Sequence, residues 1–180
     1  AGSKRFILAD DMGLGKTTST IIAALETGVK KILIICPASL KINWQREIEN
    51  YTDRNVFICE SKNFSTEHDF VIVNYDILKN FYDIKDKESS LIYQLNPDLI
   101  IIDEAHYLQN AQAQRTKLVN SFAKRADKLW LLLLGGTLDF AVSSQGVFKT
   151  GMHLFYNLPS SSEGRLFGVR AQIAFELGLM

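Results

Sequence analysis

Two short stretches of the chain contain residue types that could act on a phosphate group. Residues 10–18 place two glycines ahead of a lysine and two threonines, directly after an apolar run that begins at Phe6. This order predicts a phosphate-binding loop between a strand and a helix, in which backbone N–H groups and the lysine meet phosphate oxygens and a threonine hydroxyl meets Mg²⁺. The N-terminus of the following helix adds its partial positive charge. The predicted nucleotide-binding residues are Asp10, Met12, Gly13, Leu14, Gly15, Lys16, Thr17 and Thr18.

The second stretch is a pair of carboxylates, Asp103 and Glu104, which follows four apolar residues. A carboxylate at a strand end can hold the Mg²⁺ that Thr17 also contacts, and the adjacent glutamate can activate the attacking water. Each stretch alone has a plainer interpretation. The carboxylates could form a charged turn, and residues 10–18, with Asp10 where the general pattern has its first glycine, could form a glycine-rich turn. Together, and in this order, they favour nucleotide chemistry.

The elements that must position these residues are predicted by alternating apolar runs and helical patterns. Such alternation is typical of an α/β fold, with a parallel sheet flanked by helices. Ligands of these sheets bind at the C-terminal strand ends, where the loops after Ala9 and Ile102 both emerge. The strand-like runs begin at Phe6, Lys31, Val56, Phe70, Leu99 and Leu129.

Helical spacing of apolar residues predicts helices after Lys16, after Ser39, through residues 77–81 and through residues 116–122. Gly28 is the predicted C-cap of the first helix, and Ser39 is the predicted N-cap of the second. Within the second helix, Trp44 shares a four-residue spacing with Leu40 and Ile48, which favours a place in the core.

Composition sets broad limits on function. Lysine plus arginine and aspartate plus glutamate both number 20, so there is no overall basic field and any nucleic-acid contact must come from a local patch. Cys36 and Cys59 lie in or beside apolar runs, which favours reduced core thiols of an intracellular protein. No apolar run approaches the length of a membrane span, so we expect no membrane partner.

Four stretches in the same order resemble motifs of the Swi/Snf-family ATPases of helicase superfamily two. Residues 10–17 resemble the first helicase motif, in which an aspartate commonly stands where Asp10 does. Residues 34–40, with Trp44 and Glu47, are similar to the next motif, and residues 71–78 to the segment before the acidic box. Residues 101–110 match the acidic box and its continuation. The resemblance covers roughly residues 6 to 130.

This resemblance implies a RecA-like, P-loop lobe over residues 1–138, which binds ATP and Mg²⁺ as part of a motor on double-stranded DNA. It implies that Lys16, Glu104 and His106 are catalytic, with His106 relaying between the nucleotide and the next motif. The alternative for His106 is a polar turn residue without a role.

The resemblance also implies that Thr17 and Asp103 hold the metal and that Pro37, Ala38 and Ser39 contact the DNA backbone. For Tyr75, at the end of a strand, the two open interpretations are a capping aromatic and a functional side chain.

Three departures from the family pattern stand beside the matches. The third motif, near residues 133–138, lacks its first threonine and its proline; the adenine-reading glutamine segment is missing; and nothing resembles the second RecA-like lobe. Residues 139–180 are expected to form a divergent tail of loops and short helices. We therefore expect weak activity from the lobe alone.

Two alternatives to a DNA-dependent motor remain. A catalytically silent nucleotide-binding or protein-interaction module would fit the departures. A P-loop ATPase without a nucleic-acid role would explain the nucleotide residues but not the matches at residues 37–47 and 71–78.

Overall fold

The apolar runs of the sequence form the strands of one sheet in the computed structural model, which describes residues 5–10, 15–134, 152–153 and 173–177. The strands are β1 Arg5–Asp10, β2 Ile32–Cys36, β3 Val56–Ile58, β4 Phe70–Asn74, β5 Leu99–Ile102, β6 Lys128–Leu134, β7 Met152–His153 and β8 Ile173–Leu177. Their order across the sheet is β3-β4-β2-β5-β6-β1-β8-β7. Strands β1 to β6 pair in parallel, which confirms the predicted α/β class.

Four α-helices and three 3-10 segments connect the parallel strands. The helices are α1 Lys16–Glu26, α2 Lys41–Tyr51, α3 Leu91–Leu95 and α4 Gln114–Ala123. The 3-10 segments are Ala38–Leu40, Tyr75–Asn80 and Ala105–Leu108. Gly28 follows the cap residue of α1 with φ of +69°, a left-handed conformation that suits glycine and agrees with its predicted capping role.

The sheet separates two layers of core side chains because successive strand residues point to opposite faces. In β2, Ile32 and Ile34 pack in the cluster that includes Ile21 of α1 and Trp44 of α2. Their neighbours Leu33 and Ile35 pack in the other cluster, with side chains of α4 and of the 3-10 segment after β4. Every residue of β2, β4 and β5 is buried, as expected for strands covered on both faces.

The start of α2 differs from the sequence prediction. Ser39 is not its N-cap, because the segment Ala38–Leu40 forms a 3-10 turn and Leu40 occupies the capping position without a side-chain cap. Pro37, with φ of −56°, is set for a turn, and its carbonyl accepts the N–H of Leu40 at 3.0 Å. The chain therefore makes one tight turn before α2 begins at Lys41.

Two strands extend the sheet beyond β1. Strand β8 pairs antiparallel with β1, and β7 pairs antiparallel with β8. The loops and short helices expected for residues 139–180 are wrong for the two segments described, which form β7 and β8, because the free edge of β1 offers ladder partners. The divergent third motif at residues 135–138 and the rest of residues 139–180 lie outside the described residues.

Both cysteines are free thiols in the interior, which confirms their predicted place in the core. Burial raises the pKa of Cys59 to about 12 and raises the pKa of Cys36 as well. Among the described residues, no helix is long and apolar enough to cross a bilayer.

Candidate nucleotide site

The predicted phosphate loop joins the C-terminal end of β1 to the first turn of α1. Asp10 is the last residue of β1, and Lys16 is the first residue of α1. Gly15, between them, has φ of +73°, a left-handed conformation in which any other residue would be strained. Met12, Gly13 and Leu14 lie outside the described residues. The described ends of the loop thus have the strand-to-helix geometry that the sequence predicts.

The first turn of α1 presents backbone amides toward the loop. The N–H of Ser19 donates to the carbonyl of Gly15 at 2.9 Å, which begins the hydrogen-bond ladder of the helix and leaves the amides of Thr17 and Thr18 ahead of it. The hydroxyl of Thr18 points elsewhere, because it donates to Glu47 Oε2 on α2 at 2.7 Å. Thr18 would therefore meet a phosphate through its amide rather than through its hydroxyl.

Asp103 follows β5 at the same edge of the sheet and is held from several sides. Its carboxylate accepts the indole N–H of Trp44 at 2.8 Å and the N–H of Glu104 at 2.9 Å, one on each oxygen. Its own N–H donates to the carbonyl of Ile35 at 2.8 Å. Its carbonyl accepts the hydroxyl of Tyr75 at 2.6 Å. These bonds fix both the backbone and the side chain of Asp103.

Burial governs the electrostatics of Asp103, which is 6% exposed. Desolvation raises the pKa of its carboxyl, and the charge of Glu104 raises it further. The Trp44 hydrogen bond, the Glu104 N–H and the positive charge of Lys16 lower that pKa. Lys16 and Asp103 are thus within electrostatic reach of each other, although they belong to different elements of the fold.

Glu104 and His106 form the next turn of the acidic box. Glu104 has φ of +53° and caps the 3-10 segment Ala105–Leu108. Its Oε2 lies 3.1 Å from His106 Nδ1, close enough for an ion pair if the ring is protonated. The angles are not those of a hydrogen bond, so within the described part of the chain both atoms are buried without a hydrogen-bond partner. Such groups often have a catalytic role or bind a ligand or water.

A stack of two aromatic rings packs against the 3-10 segment Ala105–Leu108. Tyr107 stacks on Tyr75 with ring centroids 5.3 Å apart and planes 9° apart. The guanidinium of Arg115 lies 5.6 Å from the centroid of the Tyr107 ring, and its Nε donates to the Tyr107 carbonyl at 2.8 Å. The stack joins the end of β4 to the acidic box and to α4.

Comparison with known proteins identifies the family. Residues 2–137 match the model of the SNF2-related domain. The chain belongs to the SNF2-related domain family.

Curated relatives agree with this assignment. The chain is 34% identical over 129 residues to the "ISWI chromatin-remodeling complex ATPase ISW1" of Saccharomyces cerevisiae, a match that covers 66% of this chain and 11% of that protein. It is 33% identical over 141 residues to the "SWI/SNF-related matrix-associated actin-dependent regulator of chromatin subfamily A-like protein 1 homolog" of Caenorhabditis elegans, a match that covers 74% of this chain and 19% of that protein. The match thus spans less than a fifth of the length of these two relatives.

A solved structure confirms the fold. The "Sulfolobus solfataricus SWI2/SNF2 ATPase core in complex with dsDNA" superposes with a TM-score of 0.60 at 27% identity, over 80% of this chain and 30% of that one. The fold of this chain is therefore RecA-like, as the resemblance implied.

The residues of this SNF2-related domain fit an Mg²⁺–nucleotide. Mg²⁺ is usually bound by one or two carboxylates together with phosphates of the substrate and waters. Asp103 supplies a fixed carboxylate whose oxygens each keep lone-pair capacity beyond the one donor described, and Glu104 Oε2 is a buried acceptor without a hydrogen-bond partner among the described residues. Gly15 leaves open space on the side of the described residues, since a Cβ built there would meet none of their atoms within 4 Å.

The predicted DNA-contacting residues lie beside this site. Pro37 directly follows β2, whose Ile35 pairs with Ile102 of β5. Ala38 and Ser39 are exposed at the turn before α2. The structure therefore brings this segment to the same sheet edge as Asp103.

Sequence reasoning missed the contacts that hold the site together. Trp44 is fully buried as predicted, but its indole N–H is directed at Asp103. Tyr75 directly follows β4, and its hydroxyl donates to the backbone carbonyl of Asp103. Trp44 and Tyr75 lie 59 and 28 positions from Asp103, and no local pattern in the sequence pairs residues so far apart. The signal available in the sequence was the single polar atom that each of these aromatic side chains carries.

Proposed function

We propose that this chain is the nucleotide-binding lobe of a Swi/Snf-type motor, which hydrolyses ATP with Mg²⁺ and moves along double-stranded DNA. The observation that carries the proposal is the position of Asp103. The indole N–H of Trp44 and the N–H of Glu104 fix this buried carboxylate, and the hydroxyl of Tyr75 holds the backbone carbonyl of the same residue. The carboxylate lies within electrostatic reach of Lys16, at the N-terminus of α1. Membership in the SNF2-related domain family and the ATPases among its relatives support this assignment.

Each residue has a role that its position suits. Lys16 and the amides of the first turn of α1 would bind the β and γ phosphates. Thr17 and Asp103 would hold Mg²⁺, and the nucleotide-binding loop would be completed by Asp10, Met12, Gly13, Leu14, Gly15 and Thr18. Bound Mg²⁺ supplies neutralisation of charge on the phosphates.

Glu104 would orient the attacking water and accept its proton. Its buried Oε2 lies beside His106, with no hydrogen-bond partner among the described residues. A carboxylate in this state can accept a hydrogen bond from a water without first breaking one. His106 would hold the Glu104 side chain in place through the contact between Nδ1 and Oε2. It would also relay between the nucleotide and the next motif of the chain.

Double-stranded DNA is the proposed partner. The similar Sulfolobus protein is an ATPase core in complex with duplex DNA, which supports this choice. In this chain Pro37, Ala38 and Ser39 would contact the DNA backbone, for which exposed small side chains and N–H groups at a turn are suited. An intracellular location, as predicted from the thiols, belongs to the same proposal.

The lobe alone should be a weak ATPase. Phosphoryl transfer in such motors uses an arginine from outside the phosphate loop, worth about 10³–10⁵ in rate. By the family resemblance that arginine would come from a second RecA-like lobe. We therefore expect slow hydrolysis by the 180-residue chain and little stimulation by duplex DNA.

Steady-state phosphate release, with and without duplex DNA, tests the proposal. It is measured on this chain and on the chain extended by the second lobe of a family member. DNA-stimulated turnover only in the extended protein supports the proposal. Nucleotide binding without turnover in either protein would favour a silent module instead. Turnover by the extended protein that duplex DNA leaves unchanged would favour an ATPase without a nucleic-acid role.

A further inference from the structure

One face of α2 contacts both parts of the candidate nucleotide site. Trp44 and Glu47 are three residues apart, so they lie on the same side of the helix. Trp44 donates to Asp103 after β5, and Glu47 accepts the hydroxyl of Thr18 in the first turn of α1. The two elements that would hold the metal and the phosphates are thereby tied to a single helix.

We propose that Trp44 and Glu47 are positioning residues, through which α2 sets the distance between the phosphate-binding turn and the metal-binding carboxylate. The inference rests on the proposed function and adds two residues to which it assigns no direct contact with nucleotide or metal. Their side chains act through Thr18 and Asp103.

The contact between Trp44 and Asp103 depends on the indole N–H as a hydrogen-bond donor. Trp44 is fully buried and Asp103 nearly so, so water cannot readily replace the indole N–H. The indole N–H bonds Asp103 Oδ2, while the N–H of Glu104 bonds Oδ1, so rotation of the carboxylate away from this position would break both bonds. Partners of this kind orient metal ligands, and their loss typically costs about 10–100-fold in metal affinity.

The Glu47 contact aligns the other part of the site. Its 2.7 Å bond to Thr18 is charge-assisted if Glu47 is ionised, and such bonds are the stronger ones. It orients the first turn of α1, whose amides would meet the phosphates. Losing it should weaken nucleotide binding whether or not metal is present.

The location of α2 gives this pair a route to the proposed DNA contact. The helix begins at Lys41, immediately after the turn that contains Ala38 and Ser39. A shift of that turn would move the helix that carries both positioning residues.

The test uses the 180-residue chain, a fluorescent ATP analogue and an Mg²⁺ titration. Trp44→Phe keeps most of the apolar volume and removes the donor. We expect the Mg²⁺ concentration at half-maximal binding to rise about 10-fold or more, with nucleotide affinity in EDTA unchanged. Trp130→Phe is the matched control, because it removes the other indole of the same core cluster and should leave the Mg²⁺ midpoint unchanged.

Glu47→Ala should weaken nucleotide binding about 5-fold at every Mg²⁺ concentration, as expected for one lost hydrogen bond. Glu47→Gln keeps an acceptor for Thr18 and should restore most of that affinity. Glu49→Ala, on the exposed side of the same helix, is the control. Because Glu47 is only partly buried, this arm remains informative if Trp44→Phe fails to fold.

The outcomes separate the inference from the proposed function. If the wild-type chain does not bind the nucleotide analogue, the proposed function fails. If it binds, but Trp44→Phe matches Trp130→Phe and Glu47→Ala matches Glu49→Ala, the positioning role is overturned and nucleotide binding stands.

Discussion

Replacing Tyr75 with phenylalanine isolates one hydrogen bond at the centre of the site. The hydroxyl donates to the Asp103 carbonyl at 2.6 Å, and the residue is only 4% exposed. Phenylalanine keeps the ring that stacks on Tyr107, so the packing remains and the donor is lost. The carbonyl then stays buried without its partner.

The expected cost follows from that burial. Leaving a buried acceptor unpaired costs about 1–3 kcal/mol, and we take about 1.5 kcal/mol here. If the free energy of unfolding falls by about 2 kcal/mol per molar urea, the urea concentration at the midpoint of unfolding should decrease by about 0.75 M.

This loss should not depend on pH over the neutral range. Burial, and then the charge of Asp103, raise the pKa of Tyr75 well above its ordinary value. Because the pKa of Tyr75 is higher in the folded chain than in the unfolded chain, the neutral phenol stabilises the folded state. This contribution is complete below the unfolded-state pKa of about 10 and is lost only as the pH rises above that value. The midpoint difference should therefore be the same at about pH 6 and about pH 9.

Urea unfolding followed by circular dichroism measures the effect. Tyr107→Phe is the control, because this ring belongs to the same stack but is 38% exposed, and its hydroxyl makes no hydrogen bond within the described residues. Equal midpoints for the two variants, with equal slopes, would show that the Tyr75 hydroxyl does not stabilise the Asp103 carbonyl.

Three further predictions concern the nucleotide residues and the thiols. Lys16→Ala should abolish detectable binding of a fluorescent ATP analogue, since this lysine is the main cation predicted to face the phosphates; unchanged affinity would mean that the loop does not hold phosphate. Glu104→Gln should retain ATP affinity and lose hydrolysis in a two-lobe protein, because the amide keeps the shape without the basicity; loss of binding as well would indicate a structural or metal-holding role. Cys36 and Cys59 should not react with Ellman's reagent at about pH 8 in the folded protein, because burial keeps both protonated, and two thiols should appear in denaturant. Rapid labelling of the folded chain would contradict their place in the core.

Much of the fold could be predicted because its strands are buried on both faces. A strand such as Leu99–Ile102 must be apolar at every position, and that leaves a continuous run in the sequence. The helices α2 and α4 were predictable for a related reason, since each buries one stripe of apolar residues at helical spacing.

The errors occur where local hydrogen bonding competes with helical periodicity. Ser39 has the residue type of an N-cap, but the Pro37 carbonyl captures the N–H of Leu40 and closes a 3-10 turn first. The 3-10 segment Tyr75–Asn80 has the same apolar spacing as a short α-helix. The five-residue α3 is too short to show a period and was not predicted.

The candidate site was predictable in its residue types but not in its hydrogen bonds. Asp103 and Lys16 are visible as a carboxylate after one strand and a lysine after another. That Trp44 supports the same carboxylate depends on how α2 packs on the sheet, which no local pattern encodes.

The pairing of β1 with β6 has a consequence for biosynthesis. Arg5 lies opposite Leu129, so the strand that ends in the phosphate loop has no parallel partner until residue 134 has left the ribosome. Strands β4 and β5 each pair with β2 within residues 32–102, so these three strands can assemble earlier. Closing so long a loop is slow compared with local contacts, so the strand made first should be among the last to reach its native place. A nascent chain stalled before Lys128 would contain every predicted catalytic residue while β1, which leads into the predicted phosphate loop, still lacked its parallel partner.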